Sequence, residues 1–535
     1  MRSRHFAPFA LFVLAIVCML ALPSRLIKKV EADCPKCPPP PPPPPTVGQF
    51  GGPLAGLTST VTGLFNGGYG QFALKWDPIK GLGPVATRTG CFTCHGTGVD
   101  VLTGTAGDTS TITGTRYGKW NPDGTFNYLD GNGTFPENEG GPIVHGISNA
   151  AFGTLPSCNV MTIAASNGAV ESGTTVTITT TAEHGFAPGQ NAQILNVPVK
   201  GYNGTYVITS VPTTTTFTYT ATASGLAPSG RGTAQNLPHE VVPADATVVS
   251  TVRSPQLFGM GLIDNIPDSA ILANAAATKP YGITGIANMV PDENGMVRPG
   301  KFGQKLSEVS LFQFAADAEF NELSITTSAG PFGVASAFNP NEHLPQGKPF
   351  PVACQSDDNT PQDVGQANMI KMTQFMALLA PIPPQPPTDQ TTAGLQVFNN
   401  VGCSTCHVQT YTTQQNVQLR ETNGGLSHMI NSLSNVTFSP YSDFLLHDMG
   451  SGESGGIPFQ PNNTGQATMT MWRTAPLWGL SNVLVKAGGL MHDNASTSID
   501  AAVRRHGGEA SVVIANYQAL NSTDSTNLLA FLGSL

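Results

Sequence analysis

Two stretches carry residue types whose spacing could do redox chemistry: Cys91-Phe92-Thr93-Cys94-His95 and Cys403-Ser404-Thr405-Cys406-His407. Each is a Cys-x-x-Cys-His motif, the attachment signature of c-type haem. At the start of a helix, residues i, i+3 and i+4 share one face. Two thiols on that face can each add to a vinyl group of the porphyrin, and the next imidazole then ligates the iron. Cys-x-x-Cys is also a zinc half-site. Two complete motifs in a chain with nine Cys and eleven His, behind an export signal, favour haem. The expectation is two covalently bound haem c groups, held by Cys91, Cys94, Cys403 and Cys406, with His95 and His407 as iron ligands.

The chain that must position these groups has 535 residues, enough for several domains and a sizeable core. Charged residues make up 11%, against about 25% in typical soluble proteins. Gly, Pro and Thr/Ser tracts take their place, which suits an exported, loop-rich protein. A net charge of -9 without a basic cluster argues against nucleic-acid binding. Of the remaining Cys, Cys18 lies in the export signal, and Cys34 and Cys37 lack a following His. Cys158 and Cys354 could pair in an oxidising compartment, but the sequence leaves their distance open.

Arg2 and Arg4 followed by the apolar run Phe6 to Leu22 form an export signal, with a cleavage site near Val30-Glu31-Ala32. This predicts a periplasmic or extracellular protein. An uncleaved signal would instead tether it to a membrane or surface through the N-terminus. Pro38 to Pro45 is a polyproline II spacer of roughly 25 Å. Apolar spacing predicts a helix over about 57–76. After the first haem motif, Gly and Asn up to Pro142 predict loop. Residues 159–236 alternate, as in Val176-Thr177-Ile178-Thr179 and Phe217-Thr218-Tyr219-Thr220, with turns between them. They predict a small all-β, barrel-like module. Further helices are predicted over 310–320, 366–379, 392–399 and 522–535, and a helix start at Ile266-Pro267-Asp268.

The expected fold is mainly α: two cytochrome c-like haem domains with loop-rich connections, the first interrupted by the β module. The divisions are 1–32 (export signal), 33–50 (Pro-rich linker), 51–158 and 237–385 (first haem domain and second linker), 159–236 (β module) and 386–535 (second haem domain).

Several segments resemble one family. They are Gly81-Leu82-Gly83-Pro84, Leu257-Phe258-Gly259-Met260-Gly261-Leu262, Gly300-Lys301-Phe302-Gly303, residues 441–450 and 472–480, Met491-His492-Asp493, and His506-Gly507-Gly508-Glu509-Ala510. Together they are similar to the di-haem oxidoreductases related to bacterial di-haem cytochrome c peroxidase and to MauG. The likeness covers most of 51–158 and 237–535 and is most specific after 391. It implies a six-coordinate C-terminal haem that relays electrons and an N-terminal haem where hydrogen peroxide reacts. It also implies a small donor cytochrome or cupredoxin, and in relatives a Ca²⁺ between the domains, for which no ligand set is readable here.

By resemblance, His506 stands where the peroxidases place a distal Met and MauG a Tyr. Read from the residues alone, 499–505 is helical and Gly507-Gly508 ends it, so His506 either caps that helix or points at the second iron. His447 and His492 fall in family segments, where the resemblance implies structural or propionate-binding roles. Relatives carry Trp-Lys-Ala where this chain has Gln304-Lys305-Leu306. Glu137 and Glu139 are the nearest loop acids to the first motif, and the sequence assigns no catalytic residue. Two other functions use the same parts. One is a non-catalytic electron-transfer cytochrome, with His145 or Met260 capping the first haem. The other is an oxygenase or protein-modifying oxidase. Met372 and Met376 could ligate, but Met on a helix face is more often core.

Overall fold

The computed structural model describes residues 51–76, 85–87, 90–95, 113–127, 147–148, 160–237 apart from 187, 190 and 223, then 242, 246–323, 325, 327, 364–422, 425–457 and 468–535. The expectations for 1–50, Gly81–Pro84, Glu137, Glu139, His145, Cys158 and Cys354 lie outside these residues.

Two helix pairs frame the haem motifs. Ser59–Phe72 starts at Thr58, whose hydroxyl accepts from the Val61 amide. Its buried stripe of Val61, Phe65, Tyr69 and Phe72 packs on helix Gln366–Leu378. Phe375 meets Phe65, Tyr69 and Phe72 at ring-centroid distances of 5.0, 5.6 and 5.0 Å. Burying each of these rings is worth roughly 1.5–3 kcal/mol. Leu311–Leu323 packs on the same partner.

The second pair is Asp389–Val401 against the closing helix Ser522–Ser534. The Thr388–Thr391 capping box starts the first and Asn521 caps the second. They cross at Gly394, where a Cβ would lie 2.0 Å from the Asn527 carbonyl oxygen. The predicted helices therefore form, with ends shifted by a few residues, as is usual at helix termini. Ile499–Arg505 and Asp268–Ala276 form as well. One core cluster runs from Leu54 through Phe375 and Phe444 to Ala502, drawing on both sides of the Pro381–Pro387 segment.

The expectation of a mainly α fold is overturned. Among the described residues 34% are helical and 24% strand, and a curled seven-stranded sheet forms a half-barrel. Its order is Val160–Thr162, Thr233–Leu237, Asn191–Leu195, Gly204–Thr213, Thr216–Thr220, Thr175–Thr179, Ala169–Ser172, antiparallel throughout. Its own core includes Ile178, Ile194, Tyr202, Phe217 and Tyr219.

Outside it, strand Thr113–Trp120 lies in a stretch that Gly and Asn had marked as loop. It pairs with Val248–Arg253 and with Phe126–Asn127. The Phe126 ring lies over Gly118, where a Cβ would sit 2.2 Å from it and push the ring aside. Five two-stranded pairs add the rest. Strands of two or three residues are too short to show alternation, so the helical periodicity dominated the sequence reading. Among the described residues no helix is long and apolar enough to cross a membrane.

Candidate functional site

The second motif is built by a helix end. Asp389–Val401 stops at Gly402, which has φ 106° and is hemmed in by Tyr281 and Val513. Only glycine takes that left-handed geometry without strain. The chain then makes a short 3₁₀ turn, Cys403–Thr405, and the His407 amide donates to the Cys403 carbonyl at 3.0 Å. Burial pushes the Cys403 thiol up to about 12, so it stays protonated.

His407 donates from Nδ1 to the Tyr441 carbonyl at 2.8 Å, and His506 donates from Nδ1 to the Ala502 carbonyl at 2.9 Å. Each ring is thus locked as the tautomer with an Nε2 lone pair, the second-shell arrangement of metal-bound histidines. Burial lowers both imidazoles, His407 to about 4, so both are neutral donors at physiological pH. Their ring centroids are 6.4 Å apart. A metal ion midway, with bonds of about 2.0–2.1 Å and a nitrogen-to-centroid distance of roughly 1.1 Å on each side, requires about 6.3 Å.

Cys403, Cys406, His407 and His506 line one cavity, whose walls include Leu477, Leu480, Val483 and Leu532. His506 caps helix Ile499–Arg505, which Ser498 starts by accepting from the Ala501 amide. Capping and pointing toward His407 are therefore compatible.

A buried charge cluster backs the cavity. His447 lies between Asp443 and Glu509, with Nε2 2.9 Å from Asp443 Oδ2 and Nδ1 2.9 Å from Glu509 Oε2. Its Nδ1 is also 3.8 Å from Cys406 Sγ. Burial alone would lower its pKa, but hydrogen bonds to Asp443, Cys406 and Glu509 raise it to about 12. Burial raises Glu509, but His447 and the Thr284 and Asp448 amides bring it down to about 2. Cys406, Asp443 and His447 offer donor atoms within 4.8 Å of one another. His447 is already committed to two carboxylates, and this group contains neither Cys403 nor His407, so a Cys₂His zinc set is not assembled among the described residues.

His492 stacks on Trp472 at 3.7 Å, with Lys305 Nζ 3.3 Å from the Trp472 ring centre. The Trp472 indole donates to the Glu453 carbonyl at 2.6 Å. Arg253, Arg473 and Gln304 line the same cavity. The sequence reading passed over Arg253, Arg473, Asp443 and Glu509. Asp443 and His447 stand at i, i+4 within a quoted segment, a detectable signal. The partnership with Glu509 is not detectable in sequence, because it spans 62 positions.

The first motif forms the five-residue helix Cys91–His95. Cys91 Sγ contacts Met372 Sδ at 3.8 Å, and the His95 ring lies 6.3 Å from Phe72. Burial lowers His95 to about 4. The Cys94 side chain lies outside the described ones. Met260, Met372 and Met376 are all in the main core.

A family model described as "Di-haem oxidoreductase, putative peroxidase" matches residues 227–535. No curated protein matches. Among solved structures, the hydrazine synthase of Kuenenia stuttgartiensis pressurised with xenon aligns at 14% identity and a TM-score of 0.20. It covers 35% of this chain and 58% of that one, less than two thirds of its length. A likeness this slight carries no argument.

Proposed function

The chain belongs to the di-haem oxidoreductase family, and from that premise we propose that it is an exported c-type enzyme that reduces hydrogen peroxide at the N-terminal motif with electrons relayed through the C-terminal one. The observation that carries the reading is the His407–His506 pair: two neutral imidazoles, each fixed at Nδ1, 6.4 Å apart over two thiols. The donor set fits a haem in the second cavity. Cys403 and Cys406 would hold it covalently, and His407 and His506 would be its iron ligands. At the first motif Cys91, Cys94 and His95 would hold the other.

Haem, when bound, supplies iron that changes oxidation state by one electron at a time. The chain's own contribution at the second site is rigidity. Tyr441 and Ala502 orient the imidazoles, and Leu477, Leu480, Val483 and Leu532 exclude water, so little must reorganise when charge changes. Reducing one peroxide to two waters consumes two electrons and two protons, and an acid–base group must stand near the bound oxygen. We assign that group to no described residue, and we assign Ca²⁺ no ligands among them. The electrons would come from a small cytochrome or cupredoxin outside the cytoplasm, where the export signal sends the chain.

Two measurements test this reading. A pyridine haemochrome assay should give two haems per chain, and fewer would sink the account. Absorption and EPR spectra of the half-reduced protein should show one low-spin haem and one high-spin haem that responds to peroxide. If both stay low-spin at every reduction level and peroxide changes nothing, the protein is an electron carrier and the peroxidase assignment fails.

A further inference from the structure

We propose that Arg253, backed by Arg473, is the anion site that receives a propionate carboxylate of the second haem and thereby holds that haem's reduction potential up. The proposal rests on the reading of the second cavity as a haem site.

The two arginines end separate strands, Val248–Arg253 and Met471–Arg473, and both line the cavity with Cys403, Cys406, His407 and His506. Their backbones are tightly set. The Arg253 amide donates to the His492 carbonyl at 2.7 Å, and the Arg473 amide donates to the Gln304 carbonyl at 3.1 Å. Gln304 Nε2 donates to the Arg253 carbonyl at 3.0 Å. Gln304 therefore couples the two strand ends.

The guanidinium of Arg253 has no ion-pair or hydrogen-bond partner among the described residues, and its Nε is buried without one. Burial and the neighbouring Arg473 push its pKa down to about 10, which still leaves it charged at neutral pH. Glu453, an acid on the same cavity wall, is engaged by Arg505 through Nε and Nη2 at 3.0 and 2.9 Å. A part-buried guanidinium on a cavity wall with no described acid of the protein beside it is costly, and an anion that arrives with a ligand would offset that cost. Haem brings two carboxylates on an otherwise apolar body, and a guanidinium binds a carboxylate bidentately.

The functional consequence has a definite sign. Positive charge beside the haem favours the reduced form, which is less positive by one unit. Loss of Arg253 should therefore lower this haem's potential and leave the other unchanged.

The test uses the holoprotein, with the haem count checked first. Two haems per chain in the wild type keep the underlying reading intact, and fewer would end that reading rather than this proposal. Redox titration of Arg253→Gln should then show one midpoint lowered, its reduction equilibrium moved about ten-fold toward the oxidised form, about 59 mV for a one-electron couple. Arg253→Lys should recover most of the shift, and the low-spin spectrum should persist in both. Unchanged potentials in a two-haem Arg253→Gln protein would overturn the proposal. So would equal shifts at both haems, or a change confined to the KM for an anionic substrate. Failure of both variants to fold would also overturn it, because that would mean the protein itself holds the guanidinium.

Discussion

Replacing His506 with alanine isolates the geometry on which the second site depends. The change removes one Nδ1–H bond to the Ala502 carbonyl, worth about 1 kcal/mol, and a half-buried ring. The expected loss of folding stability is roughly 1–3 kcal/mol. The electronic effect should be far larger. No other described imidazole on this cavity can replace the missing donor. His447 is pinned between Asp443 and Glu509 at 2.9 Å each, and His492 is stacked on Trp472 at 3.7 Å. The second haem should therefore turn from low-spin to high-spin while the first keeps its spectrum. Added imidazole should restore the low-spin state, because the vacated space is one ring in volume. His506→Met should stay low-spin at a higher potential, as His/Met ligation does in cytochromes c. The assay is absorption and EPR of the oxidised protein with and without imidazole. An unchanged His506→Ala spectrum, or equal changes at both haems, would refute the assignment.

Three further substitutions test the scaffold. Gly394→Ala places a methyl 2.0 Å from the Asn527 carbonyl and 2.6 Å from Phe531 Cβ; it should destabilise by about 1–3 kcal/mol, read as a fall in Tm with the second-haem spectrum broadened. His447→Gln leaves the Asp443 and Glu509 carboxylates facing each other without a cation, a loss of about 3–5 kcal/mol. Asp443→Asn in the same chain should restore part of it, and a double variant no more stable than the single one would refute the pairing. Because the His447 pKa is raised to about 12, its contribution is fully present below the unfolded value of about 6.5 and declines as pH climbs from there toward about 12, so the stability difference between wild type and His447→Gln should be largest below about pH 6.5 and shrink as pH rises. Glu319 is buried, both its carboxylate oxygens are without a partner among the described residues, and burial raises its pKa to about 8. The folded state therefore loses stability as pH climbs from the unfolded value through about 8, by up to several kcal/mol. Glu319→Gln should flatten that dependence in denaturation curves, and a wild-type-like slope would refute it.

What the sequence disclosed followed the strength of local signals. Gly394, Val397, Phe398 and Val401 repeat at helical spacing behind a Thr388 cap, so the helix leading into the second motif was legible, as was the closing helix behind Asn521. The β module was legible because Val176 and Ile178, and likewise Phe217 and Tyr219, alternate with threonine. The overall class was misjudged, because two- and three-residue pairs such as Leu446–Asp448 with Met471–Arg473 carry no period. That pair nonetheless sets His447 opposite Trp472 and so shapes the cavity wall. Motif spacing could name Cys403, Cys406 and His407, but not the long-range partners that fix them. Tyr441 holds His407 through a backbone carbonyl, an acceptor that every residue has.

The two motifs share a sequence pattern and differ in what stands behind them. At the second, four of the polar rings on the cavity are held by hydrogen bonds: His407 by Tyr441, His506 by Ala502, His447 by two carboxylates, Trp472 by the Glu453 carbonyl. Groups fixed in this way move little when the charge beside them changes, which keeps the reorganisation accompanying electron transfer small. His95 has a different setting. Its described ring contact is Phe72, its neighbour Cys91 meets the sulfur of Met372, and no described residue engages its ring in a hydrogen bond. An imidazole without a carbonyl on Nδ1 can rotate about its metal bond, and it is a weaker donor than one polarised by such a bond. A site that must accept and release an oxygen ligand tolerates that freedom, whereas a relay does not. The division of labour we propose rests on this difference, and it makes a further demand: adding a hydrogen-bond acceptor behind His95 should strengthen that imidazole as a donor and change the first haem's spectrum and peroxide turnover, while leaving the second haem's spectrum and potential unchanged.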